Sequence, residues 1–191
     1  MIEWAVITEN LPEYAAGLWL TLQLTVLSLV AGLLLAVPLA VLRTSGPVVV
    51  SRMVWAYSYF FRGTPMLVQL LLVYYGLGQF EWVQARWADG NAFWLIFREP
   101  YGCALVTFAL NTCAYTTEII AGALRATPHG EIEAAQACGM SRLTVIRRIL
   151  VPGALRRAIP AYSNEAIFML HGTAIASTIT LVDLTGAARN A

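Results

Sequence analysis

Apolar residues run in long blocks along this chain, broken by polar side chains at intervals too wide for a soluble fold. From Leu18 to Leu42 there is no charged residue, and Arg43 ends the run. A bilayer-spanning helix needs about 20 mostly apolar residues, so this segment is the clearest predicted span. Pro38 inside it is tolerable, because neighbouring helices in a membrane bundle satisfy a freed carbonyl. A second apolar region, 53–77, is interrupted by Arg62-Gly63-Thr64-Pro65. Its first part predicts an amphipathic entry segment. A helix then restarts at Pro65, where the missing N–H would be unpaired anyway. The third predicted span covers 101–123 and holds Asn111 and Glu118. The fourth covers 158–181 and holds Asn164, Glu165 and His171.

Composition agrees with this pattern. Of the 191 residues 59% are hydrophobic and only 12% charged, about half the charge of an ordinary soluble domain. A net charge of +1 lacks the basic field that nucleic-acid binding needs. Cys103, Cys113 and Cys138 show neither CxxC spacing nor a histidine pair, so they predict free thiols rather than a metal or redox site. Glu3, Glu9 and Glu13 precede the first apolar run, where a secretory leader would be basic, so no cleaved leader is expected. Arginines in short loops set orientation. Arg43 and Arg52 lie after the first span, and Arg125, Arg142, Arg147, Arg148, Arg156 and Arg157 surround the third loop. Those two loops are expected in the cytoplasm, with the N-terminus and the 78–100 loop outside. Trp82, Trp87 and Trp94 in that outer loop fit an interfacial aromatic belt, and Tyr74 and Tyr75 fit interface anchors.

The third loop, 126–153, reads as a short helix ended by Gly139 at a positive-φ position and a second helix capped by Ser141. Leu143, Ile146 and Leu150 follow at helical spacing, and Pro152-Gly153 is expected to break this helix before the last span.

The same loop carries a resemblance. Glu133-Ala134-Ala135, three residues, Gly139, nine residues and Ile149-Leu150-Val151-Pro152 resemble the EAA signature of ABC importer permeases, EAA-x3-G-x9-I-x-L-P. Val151 replaces the usual Leu. Phe61-Arg62-Gly63-Thr64-Pro65 with Gln69-Leu70 resembles the family's second-span entry. Asn111 to Ile119 and Pro160 to Glu165 resemble its polar-amino-acid branch, closest to the M-type permease subunit of histidine/lysine–arginine–ornithine importers. The resemblance covers nearly the whole chain.

It implies an all-α membrane protein, the transmembrane bundle of a type I ABC importer, as one domain over 1–191. It also implies a fifth core span after Asp183-Leu184-Thr185, which the sequence does not reach, so a chain ending one span short is expected. The implied function is ATP-driven import of polar, cationic amino acids across the bacterial inner membrane. The implied partners are a second permease subunit, two ATPases and a periplasmic substrate-binding protein. The chain itself takes no cofactor. It has no GxxxxGK(S/T) loop, so ATP and Mg belong to the ATPases and no reaction is catalysed here. Glu133, Ala134, Ala135 and Gly139 would form the coupling helix that seats in an ATPase groove, the two alanines allowing close approach. Glutamine, glutamate or an opine stay open as the solute.

Glu165 is the sharpest chemical candidate. An ionisable group inside a span is expensive and marks a functional site by default. A carboxylate there suits a guanidinium or ammonium ligand, though an interhelical clasp with no ligand fits equally. Asn164 would add a polar contact, and Asn111, Thr64 and Gln69 are further pathway candidates. Glu118 is expected to pair with Arg125 or Arg62 as a structural bond. His171, six residues past Glu165, is expected to lie too far round the helix to share its site. Two other classes fit the spans alone: a secondary transporter or channel working without ATPases, and a non-transporting membrane scaffold.

Overall fold

The computed structural model describes residues 10–190, so Glu3, Glu9 and Ala191 lie outside the described residues. Among these, every regular element is helical. The first helix, α1 (Leu11–Ser45), runs through Pro38 without ending. Its buried positions are Gly17, Thr21, Leu24, Thr25, Ser28, Gly32, Ala36 and Ala40. Nearly all are small and recur every three or four residues, while Leu18, Leu22, Val26, Val30 and Leu34 point outward and stay exposed. This inverts the soluble pattern. In lipid, large apolar side chains gain little by turning inward, and close backbone approach between small residues holds helices together.

The partner of that small stripe is α6 (Pro100–Arg125), the hub of the bundle. It is packed by α1, by α2 (Val48–Gly63), by α3 (Met66–Leu71) and by α9 (Val151–Gly172). A Cβ built on Gly32 would stand 2.0 Å from Thr112 Cγ2 and 3.1 Å from the Cys113 backbone N, which measures how tightly α1 and α6 meet. Two buried clusters fill the bundle. One, around Ala36, Ala40, Cys113, Ile120 and Ala158, lies at the end bearing the 126–153 loop. The other, around Leu24, Leu70, Phe108, Met169 and Ile179, lies at the opposite end.

By length and hydropathy only α1 and α6, among the described residues, are able to cross a membrane as single helices. The other two expected spans are composite. The second is broken as the sequence suggests. Thr64 is extended (φ −112°, ψ 141°), Pro65 stands just before α3 rather than inside it, and the chain continues through a π-helical turn (Leu72–Gly76) and a 3-10 turn (Leu77–Gln79). The fourth departs from expectation twice. Pro152-Gly153 does not break the helix: α8 (Arg142–Val145), a π-helical stretch (Ile146–Leu150) and α9 run on continuously. The wider π turn lets the Val151 N–H reach back to the Ile146 carbonyl, so Pro152 falls where the regular i→i−4 ladder is already interrupted and the helix absorbs it without breaking. At the other end α9 stops at Gly172, not Leu181, and tightens into a 3-10 helix (Thr173–Ile179).

That 3-10 helix ends at Thr180 with φ +74°, a left-handed conformation that is a true outlier for a β-branched residue. The chain then turns back, and α10 (Leu184–Asn190) packs on the start of α1. The Leu184 N–H donates to Thr21 Oγ1 at 3.2 Å. In the 78–100 loop, α4 (Glu81–Ala88) and α5 (Ala92–Leu95) fold together. Trp82 meets Trp94 edge-on at 5.1 Å, and Trp87 Nε1 donates to the Trp94 carbonyl at 2.8 Å. Cys103 and Cys113 are buried and Cys138 exposed, all three as free thiols.

Gly32→Ala is expected to destabilise the subunit by about 1–3 kcal/mol through overpacking. Gly122→Ala, with nothing within 4 Å of the added carbon, is expected to be neutral or mildly stabilising. Thermal unfolding in detergent, followed by tryptophan fluorescence, separates the two.

Candidate translocation cavity and coupling helix

Breaking the second span exposes carbonyls in an apolar setting, and the residues around the break answer that deficit. Phe61 O would accept from the N–H of residue 65, but that residue is proline. Gln69 Nε2 takes its place, donating to Phe61 O at 2.8 Å, to Thr64 Oγ1 at 2.6 Å and to Thr64 O at 3.1 Å. The Thr64 hydroxyl in turn donates to Phe60 O at 2.9 Å. From α6, Asn111 Nδ2 donates to Gln69 Oε1 at 3.0 Å and to Phe61 O at 3.4 Å. Three pathway candidates, Thr64, Gln69 and Asn111, are thus brought together as a clasp on the broken helix. Gln69 and Asn111 are buried.

Beside the clasp lies a cavity of about 800 Å³ between the break, α6 and α9. Thr64, Asn111, Asn164 and Glu165 line it, whereas Gln69 stands behind its wall. Glu165 is 8% exposed. Its Oε1 accepts from Thr112 Oγ1 at 2.7 Å. Among the described residues the other carboxylate oxygen has no protein hydrogen bond. Across the cavity Arg62, at the end of α2, is exposed and rests 5.3 Å from the Tyr115 ring centroid. Arg62 and Glu165 line the same cavity.

Two side chains depart from expectation. His171 lines the same cavity as Glu165. Helical spacing excludes a shared point contact, but this cavity extends along α9 from Ala161 to Gly172 and on to Ile175, so residues well apart in angle border it. Glu118 pairs with neither Arg125 nor Arg62. Its Oε1 lies 3.1 Å from Arg43 Nε, because the close α1–α6 contact carries Arg43 to that height. Arg43 also donates to Ser51 Oγ at 3.3 Å. Thr112, Arg62 and Tyr115 are site residues that the sequence did not single out. A threonine directly after Asn111 in an apolar run was the signal available for the first.

In the 126–153 loop the coupling candidates lie on α7 (His129–Ala137) and the turn after it. Gly139 has φ +76° with open space around it, as its place in the turn demands. Ser141 Oγ accepts from the Thr144 N–H. Glu133 and Ala134 are exposed, but Ala135 is buried. Of the two alanines, Ala134 is thus presented together with Glu133, while Ala135 is buried.

Gln69→Leu keeps the side-chain volume but removes the nearer donor to the Phe61 carbonyl and the acceptor for Asn111 Nδ2. It is expected to cost about 1–3 kcal/mol, the penalty of a buried polar group left unpaired. Denaturation in detergent should register that loss at unchanged cavity chemistry.

Residues 28–191 match the family model described as "Binding-protein-dependent transport system inner membrane component". The chain is 44% identical over 184 residues to the nopaline transport system permease protein NocM of Agrobacterium fabrum, covering 96% of this chain and 75% of that one. It is 49% identical over 174 residues to the histidine/lysine/arginine/ornithine transport system permease protein HisM of Escherichia coli, covering 91% and 71%. Among solved structures it superposes on an amino acid ABC transporter crystallised with histidines, with TM-score 0.81, 32% identity, and coverage of 100% of this chain and 82% of the other. The MetNI methionine ABC transporter shares the fold, with TM-score 0.70 at 22% identity over 91% of this chain and 76% of that one. The spans, the broken second helix and the EAA loop therefore have one explanation: the chain belongs to the family of binding-protein-dependent transport system inner membrane components, as a permease subunit of an ABC importer.

Proposed function

We propose that this subunit carries cationic amino acids, such as arginine, ornithine, lysine or histidine, inward across the inner membrane, with Glu165 as the contact for the positive side chain. The observation that carries this reading is the buried Glu165 carboxylate, facing the cavity with one oxygen held by Thr112 and the other free of protein hydrogen bonds among the described residues. A carboxylate in such a place needs a partner. A guanidinium or ammonium supplies one with a charge-assisted bond, stronger than a neutral one. Asn164 and Asn111 border the same space and offer amide contacts to the solute's backbone groups. Thr64 shapes the wall, and Gln69 holds it from behind. The histidine/lysine/arginine/ornithine permease among its relatives points the same way.

Transport proceeds with a second permease subunit, two ATPases that hold ATP and Mg, and a periplasmic binding protein that delivers the solute. The N-terminus is periplasmic and the 126–153 loop cytoplasmic, following its arginines. There α7 couples to an ATPase through Glu133 and Ala134, while Gly139 sets the turn behind it. Closing of the ATPase dimer moves α7 and opens the cavity outward.

An opine is the second reading, favoured by the nopaline relative and by Arg62. That exposed cation at the cavity wall is able to receive a further carboxylate.

Radiolabelled arginine uptake into proteoliposomes holding the assembled importer, with ATP inside and binding protein outside, tests the proposal. Glu165→Gln is expected to reduce uptake by at least about tenfold, the loss of one charge-assisted bond, while ATP hydrolysis continues. Equal uptake by both proteins would make Glu165 structural. Uptake of octopine in place of arginine would establish the second reading.

A further inference from the structure

We propose that Arg157 is a positioning residue: it ties α9, the helix carrying Glu165, to the chain entering the coupling helix, so that displacement of α7 reaches the cavity wall directly. The proposal rests on the reading that α7 meets the ATPase.

Arg157 lies in the second turn of α9. Its Nε and Nη2 donate to the Ala123 carbonyl at 3.3 and 3.2 Å, and Nη2 also donates to Thr127 Oγ1. Those acceptors stand at the end of α6 and just before Pro128 and His129, where α7 begins. Thr127 is 5% exposed, so the grip is on a fixed part of the chain. Around it the Ala126 N–H turns to Gly122 O and the Thr127 N–H to Leu124 O. Arg157 therefore serves the one carbonyl between them that this pattern passes over.

The covalent route from α7 to α9 runs through three irregular points. It passes Gly139 at φ +76°, the Ser141 turn and the π-helical stretch Ile146–Leu150. Each is a place where the regular hydrogen-bond ladder is interrupted, and π segments in helices commonly mark functional joints. A push on α7 sent only along that path would be taken up by the joints. The planar guanidinium fork, fixed by two acceptors at once, bypasses all three. Glu165 lies eight residues beyond Arg157 on the same helix, about 12 Å at helical rise.

A structural cap on the end of α6 would use the same bonds, so the deciding quantity is amino acid taken up per ATP hydrolysed. It is measured in proteoliposomes with the complete importer and its binding protein. Arg157→Gln is expected to lower that ratio at least about fivefold, the lower range of ordinary coupling between sites, with ATP hydrolysis retained. Arg157→Lys, which keeps the charge but not the fork, should fall between. Thr127→Val should lower the ratio, and the double variant should fall no further than Arg157→Gln, because both remove one contact. If Arg157→Gln fails to assemble, Thr127→Val and Arg157→Lys carry the test, and an unchanged ratio in both overturns the proposal. Uptake and hydrolysis that fall together at constant ratio, or additive losses in the double variant, also overturn it. Ala134→Arg, run beside them, separates the two levels. If Ala134→Arg uncouples and Arg157→Gln does not, the strut alone is wrong. If Ala134→Arg leaves hydrolysis and ratio intact, the coupling-helix reading fails and the strut with it.

Discussion

Proline at position 65 withholds one N–H where the second span breaks, and the polar groups around the break are arranged on that missing donor. Backbone polar groups in a membrane must be satisfied internally, and irregular backbone survives there only when protein or a cavity surrounds it. Gln69 and Asn111 provide the first condition by closing on Phe61 O and Thr64. The space between the break, α6 and α9 provides the second. The clasp fixes the break in place. With it, Arg62 is held at the end of α2, facing a wall that contains Glu165. The cavity is thus the consequence of a backbone problem and its solution.

The middle of the bundle and its loop-bearing end are held by different side chains. Around the clasp the contacts are polar and specific, with side chains bonded to named carbonyls. At the loop-bearing end, Arg43 meets Glu118, Arg142 reaches the Ser45 carbonyl at 3.1 Å and Arg157 spans α9 and α6. Arginine suits these places because one planar group satisfies several acceptors without moving. At the height of the clasp lies the close α1–α6 contact of Gly32 with Thr112, the residue after Asn111, where small residues leave little room for adjustment. A rigid, bonded middle tied to a bonded loop-bearing end is a construction able to pass displacement between the loop and the cavity.

Much of this was legible in the sequence. The uncharged run ending at Arg43, the Arg62 to Pro65 interruption and the glycine-ended loop all stand where local chemistry dictates. Glu165 announces itself because a carboxylate has no ordinary reason to sit in a span. What the sequence withheld depends on neighbours far along the chain. Glu118 finds Arg43 across 75 positions, a pairing set by how closely two helices approach. Pro152 looks like a breaker because periodicity carries no sign of a π turn just before it. His171 looks misplaced when angle alone is considered, since the volume of the cavity is invisible in a linear pattern. Gln69 reads as a pathway residue because polarity inside a span signals function and structural repair alike.

The inverted dress of α1 changes what a substitution means along its length. The leucines and valines of its outer face are the most hydrophobic part of the chain, yet any large apolar residue meets lipid as well as another. Gly17, Gly32 and Ala36 contribute almost nothing to hydropathy, yet they set how near two backbones stand. Information about the fold is therefore concentrated in the side chains that weigh least. One apolar side chain stands in for another on the heavy face, while a single added carbon on the light one meets a neighbouring backbone.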